Sequence, residues 1–361
     1  MSATDQVLPL VRPEILALTP YSSARKEAKN VAPGGRRVWL DANENPQTPS
    51  AHAPLLNRYP EPQPSDLVDR LGSLYGVAPR QTLVTRGSDE GIDLLLRAFC
   101  RAGQDAILIT PPTYGMYAVA AAIQGARVVP VPLIREKDFA LDADAVLAAW
   151  TPAVKLVFLC SPNNPTGGLL DRRESLRLIR ALLGRSVVVV DEAYLEFSGA
   201  PSFAAEITAQ PNLVVLRTLS KAFGLAGARC GVTLADPAVI GVLQNIIAPY
   251  PVPAPVRQAA LTALTPAGIA AARESAAALA DGRRALASAL ARLPSVRRVW
   301  PSDANFVLVE MADAGRAMTA ARAAGLIVRD RSREPGLANC LRITAGLPDE
   351  NQFVLEVLRH V

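Results

Sequence analysis

Lys221 stands in the run Leu216-Arg217-Thr218-Leu219-Ser220-Lys221-Ala222-Phe223-Gly224-Leu225-Ala226-Gly227-Ala228-Arg229. Hydroxyls flank it and an arginine follows eight residues later. An amine able to form a Schiff base is thereby grouped with donors suited to a phosphate. Of 38 basic residues only five are lysines: Lys26, Lys29, Lys137, Lys155 and Lys221. The first four lie in polar, loop-like or strand-entry sequence and read as solvated charges. Lys221 instead follows the apolar run Leu213-Val214-Val215-Leu216 and precedes a Gly- and Ala-rich segment. It is expected at the end of a buried strand, on the rim of a core, where desolvation lowers an amine's pKa toward that of a competent nucleophile.

Three further pieces fall at expected strand ends. Gly87-Ser88-Asp89-Glu90-Gly91 lies between a strand and a helix, so its backbone N–H groups and the helix N-terminus can bind an anion. Ser161-Pro162-Asn163-Asn164-Pro165-Thr166-Gly167 follows the strand ending at Cys160, and Asp191-Glu192-Ala193-Tyr194 follows four valines. Taken singly, these read as a helix start, a turn and a strand end. A carboxylate at the end of so apolar a strand nevertheless needs a partner, which a protonated heterocyclic nitrogen would supply. Together the pieces meet the needs of pyridoxal phosphate. Lys221 forms the Schiff base, Asp191 keeps the pyridine nitrogen protonated, and Asn164 and Tyr194 hydrogen-bond the ring oxygen. The helix N-terminus, hydroxyls and Arg229 cover the phosphate.

The elements that must position these residues alternate. Residues 82–85, 106–109, 127–131, 156–159, 186–190, 214–216 and 230–234 read as buried strands, with helical periodicity between most of them, as at 89–100 and 171–183. The fold class expected is α/β, a mostly parallel central sheet covered by helices on both faces, with function at the carboxyl ends of the strands. After the Pro-rich turn Pro249-Tyr250-Pro251-Val252-Pro253-Ala254-Pro255, Thr265-Pro266 caps a long helix expected to run to about Leu293. Strands near 306–309 and 341–344 and helices near 314–324 and 349–359 complete a smaller α+β domain. The expected division is an N-terminal arm over 1–40, a large domain over 41–265 and a small domain over 266–361.

The 361 residues carry a formal charge of +5, from arginines spread without a basic block or an aromatic-interleaved stripe. Nucleic-acid binding is unsupported, and small anionic substrates suit the arginine excess better. No run of about eighteen apolar residues occurs, and Met1-Ser2-Ala3-Thr4-Asp5-Gln6 lacks a basic-then-apolar pattern, so no membrane partner and a cytoplasmic location are expected. Cys100, Cys160, Cys230 and Cys340 are widely spaced and read as buried thiols. With only His52 and His360, no His-rich metal site is expected, and acid–base work falls on lysine, carboxylate or tyrosine.

Over nearly its whole length the chain resembles the fold-type I pyridoxal-phosphate aminotransferases, most of all their branch acting on histidinol phosphate. Besides the site motifs, the resemblance rests on Asp41-Ala42-Asn43-Glu44-Asn45-Pro46, Arg58-Tyr59-Pro60-Glu61-Pro62, Pro111-Pro112-Thr113-Tyr114-Gly115-Met116-Tyr117, Ala248-Pro249-Tyr250-Pro251-Val252-Pro253, Val328-Arg329-Asp330 and Leu341-Arg342-Ile343-Thr344. It departs from the family pattern at Gln47-Thr48, where an aromatic and a glycine are common. The resemblance implies that Tyr114 stacks on the cofactor ring, that Asn164 and Tyr194 bind its hydroxyl oxygen and that Asp191 meets its nitrogen. Ser88 and Asp89 at the helix start, with Thr218, Ser220 and Arg229, would hold the phosphate. Arg342 would bind the donor carboxylate. Arg329, Tyr21, Asn164 and a Tyr59 lent by the second subunit of a homodimer would help hold the substrate. Without the resemblance Arg329 and Arg331 would be solvated charges, and Tyr21 and Tyr59 ordinary turn residues.

The activity implied is transfer of an amino group between glutamate and imidazole-acetol phosphate, giving L-histidinol phosphate and 2-oxoglutarate. Aromatic amino-acid aminotransfer and decarboxylation of threonine phosphate share every cofactor residue and stay open as alternatives, though arginines aimed at a distal phosphate disfavour the first. A cofactor-sensing regulator would need an added DNA-binding domain, and a dinucleotide-binding protein would need a glycine fingerprint that is absent.

Overall fold

The computed structural model describes residues 6–19, 40–48 and 56–361. Seven strands form the large sheet: β1 (Thr82–Thr85), β2 (Ala106–Ile109), β3 (Arg127–Pro130), β4 (Val154–Cys160), β5 (Val187–Asp191), β6 (Leu213–Thr218) and β7 (Gly231–Ala235). Their order is β1-β7-β6-β5-β4-β2-β3, and only β7 runs against its neighbours. The sequence of β5 shows why the sheet is covered twice. Val188 and Val190 join one core layer with Leu178, Ile179 and Phe203, whereas Val187 and Val189 join the other with Leu95 and Ile240. Alternate side chains point to opposite faces, so a strand apolar at every position needs a helical layer on each. The register brings Asp191 of β5 level with Cys160 of β4 and Leu216 of β6, which gathers three carboxyl ends along one edge.

A second, antiparallel sheet has the order β10-β11-β9-β8, from β8 (Val296–Val299), β9 (Phe306–Met311), β10 (Arg329–Asp330) and β11 (Cys340–Thr344). Its apolar face packs under the helices Pro266–Leu290, Ala314–Ala323 and Pro348–Arg359, with Val307, Val309, Leu341 and Ile343 in the shared core. The first of these helices starts as expected. Thr265 Oγ1 accepts the Gly268 N–H at 3.1 Å, and Pro266 fills the first turn, where no N–H is needed. It ends at Leu290 rather than near Leu293.

Residues 6–19 fall within the expected arm. They form helical turns at Leu8–Leu10 and Pro13–Leu16, and Val7 and Val11 are buried in the same layer as Leu95 and Val239. Its apolar residues are too few to set up a periodicity; tertiary burial, not propensity, orders it. Tyr21 and His52 lie outside the described residues. All four cysteines are buried free thiols, and among the described residues no helix is long and apolar enough to cross a membrane.

Candidate active site

The ends of β4, β5 and β6 open onto a pocket of about 520 Å³, part of it open to solvent. Every residue expected at the cofactor lines it: Ser88, Asp89, Tyr114, Asn164, Asp191, Tyr194, Thr218, Ser220, Lys221 and Arg229. Asp191 is the last residue of β5 and only 2% exposed. Its Oδ2 accepts a hydrogen bond from the Tyr117 hydroxyl at 2.8 Å and its Oδ1 accepts from the Ala193 N–H at 3.1 Å. Burial pushes the Asp191 carboxyl up to about 6, against the pull of these two donors. Neither partner is a cation, so the carboxylate is oriented but not neutralised, which is the condition a protonated ring nitrogen would relieve.

Tyr117 was not singled out in the sequence. Fully buried and stacked on Phe158 at 4.7 Å between ring centroids, it reaches Asp191 from the helix Met116–Gln124. Tyr114, just before the helix begins, meets its ring edge to face at 5.5 Å between centroids.

The neighbouring Glu192 points to the opposite side and serves structure. It is 0% exposed and pairs at 2.7 Å with Arg217, which also binds Glu196 at 2.6 Å and lies over the Tyr75 ring. Strand alternation thus assigns adjacent carboxylates to different tasks: Asp191 to the pocket, Glu192 to tying β5 to β6.

Lys221 follows β6, with its Nζ 5.5 Å from the centre of the Tyr194 ring. It is open to water in the pocket, yet protein on its other sides lowers its pKa by desolvation, and Arg342 and Arg229 push the same way. The shift favours the neutral amine that a nucleophile or base requires. Tyr194, 8% exposed, has its phenol held above the usual range, chiefly by burial.

The other end of the pocket is built for an anion. The helix Ser88–Phe99 begins beneath it, after Gly87 at φ +76°. Ser220 N–H donates to Thr218 Oγ1 at 3.1 Å, Thr218 donates to Ser220 Oγ at 2.9 Å, and Arg229 Nη1 reaches Ser220 Oγ at 3.3 Å. Asp89 anchors the walls, accepting from Tyr114 at 3.0 Å and from Arg229 Nη2 at 3.1 Å. Gly231 explains how close the walls come: a Cβ there would lie 2.4 Å from the Gly87 carbonyl carbon and 2.5 Å from Ser88 N. Only glycine lets β7 press against the turn whose N–H groups face the anion. Hydroxyls, helix N-terminus and guanidinium thus fit a phosphate, Asp191 fits a pyridinium, and Lys221 fits an aldehyde carbon.

The small sheet closes one side. Arg342 donates from Nη1 to Asn164 Oδ1 at 2.6 Å and lies 5.2 Å over the Phe306 ring, which meets Tyr194 edge-on at 5.2 Å. Arg329 pairs across the sheet with Arg342, so both leave the same face, but Arg329 is exposed and borders a surface hollow with Arg322 and Ile327. Arg329 does not line this pocket, although its place opposite Arg342 keeps it on that side of the small sheet. Arg331, expected to be solvated without the resemblance, is the sheltered arginine, with its side chain 12% exposed and ion-paired to Glu334 at 2.8 Å. Tyr59 is 51% exposed, stacks on Tyr250 at 4.4 Å and does not line this chain's pocket.

Known proteins resemble the chain along nearly its whole length. The family described as aminotransferase class I and II matches residues 30–358. A histidinol-phosphate aminotransferase of Stenotrophomonas maltophilia is 48% identical over 98% of this chain and 97% of its own length. The structure of a histidinol-phosphate aminotransferase from Sinorhizobium meliloti in complex with pyridoxal-5'-phosphate superposes with a TM-score of 0.76, at 26% identity, covering 84% of this chain and 83% of that one. That of an L-threonine-O-3-phosphate decarboxylase from Porphyromonas gingivalis gives 0.71 at 27% identity, covering 84% and 93%.

Proposed function

From the premise that this chain belongs to the class I and II aminotransferase family, we propose that it moves an amino group between glutamate and imidazole-acetol phosphate, giving L-histidinol phosphate and 2-oxoglutarate in histidine biosynthesis. It is a pyridoxal-phosphate-dependent transaminase. The observation that carries the reading is the convergence of Lys221, Asp191 and Arg229 on one pocket whose fourth side is Arg342.

When bound, the cofactor supplies an aldehyde carbon and a ring that accepts electrons from the substrate's α carbon. Lys221 would hold that aldehyde carbon at rest. Once the substrate's amine takes its place there, the freed Nζ, its pKa lowered by desolvation, would take the proton from the substrate carbon bearing the amino group, a task for which positioned bases contribute about 10²–10⁴-fold. Asp191 would hold a proton on the ring nitrogen, with Tyr117 keeping the carboxylate aimed. Asn164 and Tyr194 would hydrogen-bond the ring oxygen, and Tyr114 would lie against the ring. Thr218, Ser220, Arg229 and the helix start at Ser88 would hold the phosphate. Arg342 binds the carboxylate of glutamate in one half-reaction and an anionic group of histidinol phosphate in the other, since a guanidinium fork suits either.

The same reading takes in a homodimer with shared sites, in which exposed Tyr59 is lent to the neighbouring subunit and Tyr21 helps hold the substrate. It also places a domain boundary near residue 265 and the protein in the cytoplasm. Decarboxylation of threonine phosphate is the second reading, favoured by the likeness to the P. gingivalis enzyme.

The test supplies the purified holoprotein with histidinol phosphate and 2-oxoglutarate and follows glutamate, with Lys221→Ala as control. Glutamate formed only by the protein with Lys221 is expected. Release of carbon dioxide from threonine phosphate, with no glutamate from histidinol phosphate, would overturn the proposal in favour of the second reading.

A further inference from the structure

Resting on the function just proposed, we infer that Arg331 is a further specificity-determining residue of this site, a guanidinium that meets the phosphate end of the amino substrate. Three observations place it there. Arg331 N–H donates to the Cys340 carbonyl at 2.9 Å, continuing the pairing of Arg329 with Arg342, so the three arginines follow one another along adjoining strands of the small sheet. The contacts of Arg342 with Phe306 and Asn164, and of Phe306 with Tyr194, show that its side of the sheet borders the pocket. Arg331 is also close enough to Tyr194 and Arg342 for their charges to act on one another, while its side chain is 12% exposed.

An arginine is rarely sheltered so far without work to do. Glu334 answers only part of its charge. It approaches the Nε edge of Arg331 at 2.8 Å, and no other ion pair joins Arg331 to a described residue. The one half-buried carboxylate faces Arg331, Arg342 and Arg329 together, which leaves the cluster positive. Glutamate brings a singly charged carboxylate to this side of the site, whereas a phosphate monoester carries between one and two charges near neutral pH. A second guanidinium beside Arg342 therefore adds more to the binding of the phosphorylated substrate than to that of glutamate. Glu334 meets Arg331 by charge alone, since the buried Nε has no hydrogen-bond partner, and the guanidinium fork keeps its donors for the anion.

The test compares Arg331→Gln and Arg331→Lys with the unaltered holoenzyme in two half-reactions, with histidinol phosphate and with glutamate, and adds inorganic phosphate as a competing anion. Arg331→Gln is expected to raise KM for histidinol phosphate about 10-fold or more while kcat and the glutamate half-reaction change less than about 2-fold, and to weaken inhibition by inorganic phosphate in parallel; charged hydrogen bonds are of this size. Arg331→Lys should recover part of the loss, because it keeps the charge without the fork. Equal losses with both donors, or unchanged inhibition by phosphate, would reduce Arg331 to a staple of its turn and overturn the inference. Failure of the unaltered enzyme to use histidinol phosphate would instead overturn the functional reading on which the inference rests.

Discussion

Burial pushes the Asp191 carboxyl up to about 6, so in the cofactor-free protein its ionised form costs folding free energy. The sign follows from proton binding. Between about pH 4, the unfolded value, and pH 6 the native state binds more protons than the unfolded chain, so stability from this group is full below that window and is lost as pH rises through it. Asp191→Asn should therefore raise the stability of the apoprotein above pH 6.5 by about 1–3 kcal/mol, while slowing the half-reaction by orders of magnitude. Thermal melts at pH 4 and pH 7.5 check this: the gain should shrink at the lower pH, and equal melting temperatures at pH 7.5 would contradict it. Asp191 and Lys221 were legible in the sequence because each interrupts or follows an apolar run where a charge is out of place. Tyr117 and Arg331 were not, since what marks them is a partner from another element: Asp191, 74 positions from Tyr117, and Cys340, which pairs with Arg331 across the edge of the small sheet.

The strands of the large sheet announce themselves through their two covered faces: a run such as Val187–Asp191 has no polar side to offer water. Strands β8 and β10 give no such signal. The first reads Val-Arg-Arg-Val and the second is Arg329-Asp330 alone, and both exist because β9 and β11 offer them backbone partners. The contact between β7 and the helix start at Ser88 is likewise invisible as a pattern, although it sets the phosphate end of the site. Gly231→Ala would place a methyl 2.4 Å from the Gly87 carbonyl carbon, so the turn must shift. Weaker binding of pyridoxal phosphate to the apoprotein, by about 10-fold or more, is expected if even one charge-assisted hydrogen bond is lost. Fluorescence titration measures it, and an unchanged dissociation constant would show that the turn does not set the phosphate grip. The buried Glu192–Arg217 pair joins β5 to β6 and maintains the spacing between Asp191 and Thr218 at the other wall.

At the scale of the whole molecule, one sheet supplies the lysine, the buried carboxylate and the anion cup, and the other brings Arg342 and Arg331 to the open side. In the proposed reading, chemistry and substrate choice thus fall on different sheets. The alternation of strands and helices made the first sheet readable from the chain; the second depended on pairings that cross long sequence distances, such as Arg342 to Asn164, 178 residues apart. The central claim is that this arrangement selects histidinol phosphate. Its most direct test mixes the holoprotein, in the absence of any keto acid, with histidinol phosphate, phenylalanine or threonine phosphate, and follows the cofactor's absorbance through a single turnover. The account predicts that histidinol phosphate converts the cofactor to its amine form with kcat/KM at least about 10-fold above either competitor, the advantage one charge-assisted contact supplies. Faster conversion by phenylalanine, or loss of carbon dioxide from threonine phosphate, would contradict it.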